Sequence, residues 1–497
     1  MLTSSALQRS SESPDEANRS AKDVYDTLAQ PGGESEATRS WLEGQVAAAH
    51  ELPNSLPEDP ESLMTWMDEN VERVGDEYVA YLKRRKEGGP REYFANRSHA
   101  LHFLSAVAPT KLVDGAWLYS SLTRWDDARM LPLINTYLEE LGEGDAGQNH
   151  VVMFKELLHK VGAPDNLELR DELYVQGAIQ LALGAHGREF VPEMIGFNLG
   201  YEQLPLHLHI CAYEFNELGI DPYYFTVHIT VDNAGSGHAR QAVQAVMNAL
   251  PEEGQARRNF YNRVRAGFAL NDLGVGATAI AHSFDIDAAV IDMLAAKSKY
   301  GRAAHADYCK VAGRTVNDWL SDAAQIPAFV AALQDAKWIV RHQDPQSSRF
   351  WKLLQGGQAE MFGVFSPYEL QLLYDWIAGD CPDYLPGPDL PSVAPRKMIN
   401  GRHLSYRAQL RSMASGDQRQ GGTPGPSGSQ PIVFSIDEDY DSNPTALLTR
   451  LAKVTDRTQR MTVLLDYLSP QKHHTPEGLY ATRLYRRSLL EGARGVA

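Results

Sequence analysis

The stretch His228-Ile-Thr-Val-Asp232-Asn-Ala-Gly-Ser-Gly-His238 places two histidines and an aspartate within eleven residues. Asp221-Pro222 precedes it, and proline at an N-terminal position starts a helix that reads from Tyr223 to Ala234. His228 and Asp232 are four residues apart and so share a helical face. His238 lies six residues beyond Asp232, about 240° around a continuous helix and therefore on the wrong side. Gly235, Ser236 and Gly237 fall between them, and glycine permits a bulge or an unwound turn. The spacing predicts a break between Asn233 and Gly237, with the helix resuming over Ala239 to Val246 and His238 returned to the face of His228. The plain alternative for His228 and Asp232 is a structural imidazole–carboxylate pair.

Two upstream positions carry the same chemistry. Glu202 sits in Gly-Phe-Asn-Leu-Gly-Tyr-Glu-Gln-Leu-Pro-Leu, apolar enough for its helix to read as buried. A buried carboxylate is costly without a cation or a metal beside it, and an ion pair with Arg or Lys serves as well as a metal. Glu193 is the competing acid on that segment, but it stands at a helix start, where a carboxylate complements the dipole. Glu143 and His150 are seven residues apart, about 20° short of two full turns, so a helical region stacks them on one side. Glu139, Glu140, Glu143 and Asp145 equally read as a solvated acidic helix end. Imidazole and carboxylate together are what a borderline first-row metal binds.

The rest of the chain reads as scaffold. Alternating apolar runs are nearly absent before residue 430, so the fold class is all-α. Leu131, Ile134, Leu138 and Leu141 lie at core spacing over Arg129 to Leu141. His150 to Val161 is a helix stopped by Gly162, and Leu167 to Leu183 and Glu193 to Leu218 follow as helices. Residues 1–60 are rich in Ser, Glu, Pro and Gly and read as a largely disordered N-terminal segment. Residues 61–380 form the helical domain with its accessory helices. Residues 381–431 read as a Pro/Gly/Ser-rich flexible linker, and 432–497 as a small helical C-terminal tail joined by few contacts.

The 497 residues carry a net charge of −17, which argues against non-specific nucleic-acid binding. Cys211, Cys309 and Cys381 match no zinc spacing and suit a reducing compartment. The first twenty residues contain no apolar h-region, and no run reaches the length of a membrane-spanning helix. A cytoplasmic protein with no membrane partner is expected.

The ordered set Glu-x6-His, a lone Glu on the next long helix, and His-x3-Asp followed by His resembles the haem-oxygenase-like di-iron oxidase and oxygenase family, the iron-containing redox enzymes. APTKLVDGAW at 108–117, GIDPYYFTVHITVDNAGSGHA at 219–239 and MFGVFSPYE at 361–369 are similar to the long members of that family. The likeness covers roughly 90–380. It implies a haem-oxygenase-like helical bundle with ligands projecting inward from facing helices. The implied ligands are Glu143 and His150, Glu202, and His228, Asp232 and His238. The family's compact pattern ends Asp-x2-His, whereas this chain has Asp232-x5-His238. The resemblance further implies two Fe(II) ions per chain, dioxygen as co-substrate and oxidation of a small-molecule substrate in specialised metabolism. It leaves room for a homodimer and an external electron donor. Two other readings stay open: a haem-binding or haem-degrading protein on the same fold, needing one axial histidine, and a non-catalytic helical scaffold.

Overall fold

The computed structural model describes residues 19–164, 167–231, 237–355, 360–361, 363–380 and 444–494. Among them the only sheet is a hairpin of two-residue strands, Lys310–Val311 paired antiparallel with Arg314–Thr315. The all-α expectation holds.

Ser20 caps α1 (Ala21–Leu28) by accepting from the Asp23 amide. Ser35 forms a reciprocal capping box with Thr38 at the start of α2 (Glu36–His50). Such side chains satisfy amides that a helix start leaves unpaired. Val24, Leu28 and Leu42 on these helices are buried. The expectation of a largely disordered segment over 1–60 is therefore corrected for 19–60, where serine serves as helix punctuation. Residues 1–18 lie outside the described residues, as does the expected linker at 381–431.

The body of the chain continues through α3 (Leu63–Lys86), α4 (Arg97–Ala106), α5 (Leu131–Glu140), α6 (His150–Val161), α7 (Val175–His186), α8 (Val191–Tyr201) and α9 (Leu206–Glu217). Then come α10 (Tyr223–Val231), α11 (His238–Ala249), α12 (Gly254–Ala269), α13 (Ile286–Gly301), α14 (Ile326–Asp335) and α15 (Pro367–Ala378). Two buried apolar clusters organise them. The first gathers Leu42, Leu133, Tyr137, Ile179, Phe197, Val243 and Val264 from α2, α5, α7, α8, α11 and α12. The second gathers Phe103, Phe154, Phe215, Phe225, Val290, Phe329 and Trp376 from α4, α6, α9, α10, α13, α14 and α15. Helix α3 serves both, through Leu63 and Met67 at one end and Tyr81 at the other.

The C-terminal segment is not an appendage. Thr445–Leu451, α16 (Arg457–Tyr467) and α17 (Pro476–Arg494) bury Leu447, Met461, Leu464, Leu468, Ala481 and Tyr485 in the first cluster. Tyr485 donates its hydroxyl to the Leu122 carbonyl at 2.9 Å. The expectation of few contacts is corrected: residues 444–494 belong to the same compact unit as the helices before residue 390. Nothing in the linker's composition could reveal this, because contacts across a linker depend on the faces of the helices beyond it.

Candidate metal centre

The polar side chains of interest sit on the seam between the two cores. Leu138, Leu141, Leu199 and Ala239 beside them belong to the first cluster, and Phe154, Tyr224 and Phe225 to the second. Asp114, Glu140, His150, Glu202, His228 and His238 are all buried there.

Asp114 lies in the turn before Gly115, ahead of the 3-10 helix Ala116–Arg124. Its carboxylate accepts from the Tyr201 hydroxyl at 2.7 Å and the Tyr224 hydroxyl at 2.8 Å. Lys111 Nζ stands 3.8 Å away and donates to Tyr201 Oη at 2.9 Å. Burial alone raises the Asp114 pKa, but Lys111 and the neighbouring imidazoles prevail and hold it well below the usual carboxylate range. Burial and the Asp114 charge push both Tyr201 and Tyr224 well above the ordinary phenol range.

Glu140 ends α5, and His150 begins α6. Their Oε2 and Nδ1 atoms approach to 2.5 Å, yet Nδ1 has no partner in hydrogen-bond geometry. The contact is a buried imidazole–carboxylate ion pair. The His150 and His228 rings lie 4.3 Å apart, centre to centre. Burial disfavours charge on His150, but Glu140 and Asp114 outweigh it and raise its pKa. For Glu140, burial opposes ionisation and His150 overcomes it, so its pKa is lowered.

The other two histidines each meet acceptor oxygens on both ring nitrogens. His228 Nδ1 lies 2.7 Å from the Tyr224 carbonyl, which can only accept, so Nδ1 carries the proton. Nε2 faces Asp114 Oδ2 at 3.4 Å, a carboxylate oxygen that likewise only accepts. His238 Nε2 donates to Glu139 at 2.7 Å. That leaves Nδ1 facing Glu202 Oε2 at 3.1 Å and Glu140 Oε1 at 3.5 Å. A metal-binding histidine usually donates one ring N–H to a carboxylate or a backbone carbonyl and turns the other nitrogen to the metal.

The six residues fall into two sets that share one member. Asp114, Glu140, His150 and His228 each offer an atom within 4.8 Å of the others, and so do Glu140, Glu202 and His238. Ligands about 2.0–2.2 Å from one metal lie at most about 4.4 Å apart, so each set is close to metal-ligand dimensions. Three buried carboxylates in one place also call for positive charge among them, of which Lys111 beside Asp114 supplies only a part.

Four of the sequence-derived residues meet here: His150, Glu202, His228 and His238. Glu143 does not. Helix α5 ends at Glu140, and Gly142, Glu143 and Gly144 then turn left-handed, with Glu143 at φ 53°. The two-turn spacing to His150 therefore has no helix to act through. Glu143 points outward and pairs with Arg486. Asp232 lies outside the described residues. The break expected between Asn233 and Gly237 falls mostly on residues outside the described ones; Gly237 is extended, and α11 starts at His238.

The sequence reading missed Glu140 and Asp114, although both carried a signal. Glu140 is seven residues from Leu133 and three from Tyr137, on the core face of α5. Asp114 is the lone acid in Leu-Val-Asp-Gly-Ala-Trp-Leu, the argument that selected Glu202.

Comparison with known families bears on the class. Residues 101–272 match the family described as iron-containing redox enzyme. Over those residues the chain is similar to that family. All six residues of the cluster fall inside the match, as does Glu139. The iron-containing redox enzyme match supports a redox function for the chain, and the buried Asp/Glu/His cluster is consistent with iron binding. No curated protein and no solved structure matches the chain. Among the described residues no helix is long and apolar enough to cross a membrane.

Proposed function

We propose that the cluster holds two iron ions and that the protein is a non-haem, dioxygen-dependent oxidoreductase acting on a small molecule. The observation that carries this reading is Glu140, the one side chain common to both ligand sets. Asp114, His150 and His228 would complete the first set, Glu202 and His238 the second. Asp232 is retained as a proposed ligand on its spacing from His228 alone. Reduced iron supplies the electrons that dioxygen needs, chemistry that no protein side chain provides.

The chain's own part is placement and exclusion. Tyr224 O holds the His228 proton on Nδ1, so Nε2 is the donor presented to the centre. Glu139 does the same for His238 from the opposite nitrogen. The Tyr201 and Tyr224 hydroxyls occupy lone pairs of Asp114 and fix its plane. The apolar walls on both sides keep water away and strengthen every charge interaction within. A haem reading requires one free axial imidazole in a roomy apolar pocket, whereas each histidine here faces a carboxylate. A homodimer, an external electron donor and the identity of the small molecule remain part of the proposal.

Anaerobic loading tests it. The full chain should take up about two Fe(II) and, on exposure to oxygen, consume it with an optical change in the visible region. A correctly folded chain that binds only trace iron would falsify the reading.

A further inference from the structure

The turn joining Glu140 to His150 is held from outside the 101–272 match. Gly144 accepts from Arg483 Nε on α17 through its carbonyl, at 2.9 Å. A Cβ at Gly144, whose φ is 89°, would lie 2.4 Å from the Leu479 carbonyl oxygen, so α17 presses directly on the turn. One turn of helix before Glu140, Tyr137 donates its hydroxyl to the Leu468 carbonyl at 2.5 Å.

The tightest link runs through Asn149, which is fully buried. Its Oδ1 accepts from the Val152 amide at 3.1 Å and so caps α6, the helix that begins with His150. Its Nδ2 donates to the Leu141 carbonyl at 3.3 Å, beside the Leu141–Asn149 bridge that closes the turn. The second Nδ2 hydrogen goes to His473 Nδ1 at 3.1 Å. These partners fix the amide orientation and make His473 the acceptor. His473 is itself buried, between α16 and α17. Removing one partner of a buried hydrogen bond leaves the other with its desolvation cost.

We propose that the C-terminal segment is a positioning clamp for the candidate metal centre, with His473 acting through Asn149 to fix the Glu140–His150 turn. The inference rests on the metal-centre reading. It assigns the segment to the site rather than to a separate partner-binding tail. His473 touches no candidate ligand, so its effect is transmitted through the cap of α6 and the closure of the turn.

The test uses the full-length chain and cobalt(II) as the probe, with hydrogen exchange of the metal-free protein as a second readout. His473→Leu keeps bulk and removes the acceptor, whereas His473→Gln returns an acceptor through Oε1. In His473→Leu, amides of 141–153 should exchange at least about tenfold faster while those of α7 are unchanged. Cobalt affinity should fall at least about threefold, less than the roughly 10–100-fold lost with a direct outer partner of a ligand, and His473→Gln should recover most of both. Arg483→Ala, on the exposed side of α17, should shift both readouts the same way by at least about threefold and carries little risk to folding. Unchanged exchange at 141–153 in both His473→Leu and Arg483→Ala overturns the clamp. Faster exchange with unchanged cobalt affinity overturns its role at the site. Wild-type protein that binds no cobalt overturns the metal-centre reading, and the positioning role with it, while the exchange data still report whether the segment orders the turn.

Discussion

Glu140 is the hinge of the proposed chemistry, because it is the one carboxylate that both ligand sets use. His150 Nδ1 and Glu140 Oε2 stand 2.5 Å apart as a buried ion pair, and both residues belong to the first ligand set. Removing the carboxylate should therefore damage both positions, whereas removing Asp114 should weaken chiefly the first. Glu140→Ala is expected to reduce anaerobic Fe(II) uptake from about two per chain to well under one, as loss of a shared ligand requires. Glu143→Ala is expected to leave the stoichiometry unchanged, because Glu143 faces Arg486 at the surface, where an ion pair contributes little. Iron determination on the two folded variants checks both statements, and the reverse ranking would return the ligand role to Glu143.

At the level of elements, the turn after α5 decides which glutamate is used. Three successive left-handed residues, Gly142, Glu143 and Gly144, fold the chain back so that α6 starts beside the end of α5. Alanine at 144 would meet both the left-handed penalty of about 1–2 kcal/mol and a carbonyl oxygen 2.4 Å from its Cβ. Gly144→Ala should therefore lower stability by at least about 2 kcal/mol in urea unfolding; a neutral result would mean that α17 can retreat without loss. This turn also marks where the sequence stopped being legible. The start of α6 at His150 and its stop at Gly162 were readable from periodicity and a C-terminal glycine, and they agree with the structure. The start of α11 at His238 was readable because Gly235-Ser-Gly237 is a poor helix interior. Glu143 was misplaced because helical bookkeeping assumes that the helix continues, and Gly142 and Gly144 end it. His473 was not selected, since it gains its meaning from Asn149, more than a hundred positions away.

The whole molecule carries several buried and half-buried histidines away from the centre, and they set its response to acid. Burial lowers His99 to about 4, His207 to about 3 and His474 to about 4. An unfolded histidine takes up its proton near 6.5. Between pH 6.5 and 4 the unfolded chain therefore binds more protons than the folded one at these positions, and stability falls as pH falls. Asp375 works the other way. Burial raises it to about 6, against the Ser98 amide that hydrogen-bonds it at 2.7 Å. Between pH 6 and 4 the folded protein holds a proton on Asp375 that the unfolded chain has released, so this group alone adds stability as pH falls. Three histidines against one aspartate predict a net loss exceeding about 1 kcal/mol from pH 6.5 to 4, since each tenfold difference in proton affinity between the two states corresponds to about 1.4 kcal/mol. Asp375→Asn separates the opposing contributions. An asparagine keeps an acceptor for the Ser98 amide and carries no charge, so the variant should gain stability over wild type at pH 7. It should also lose stability more steeply on going from pH 6 to 4, because the compensating group is gone. Urea unfolding of both proteins across that range measures the two slopes. Parallel slopes would show that the Asp375 carboxyl titrates near its ordinary value in the folded chain.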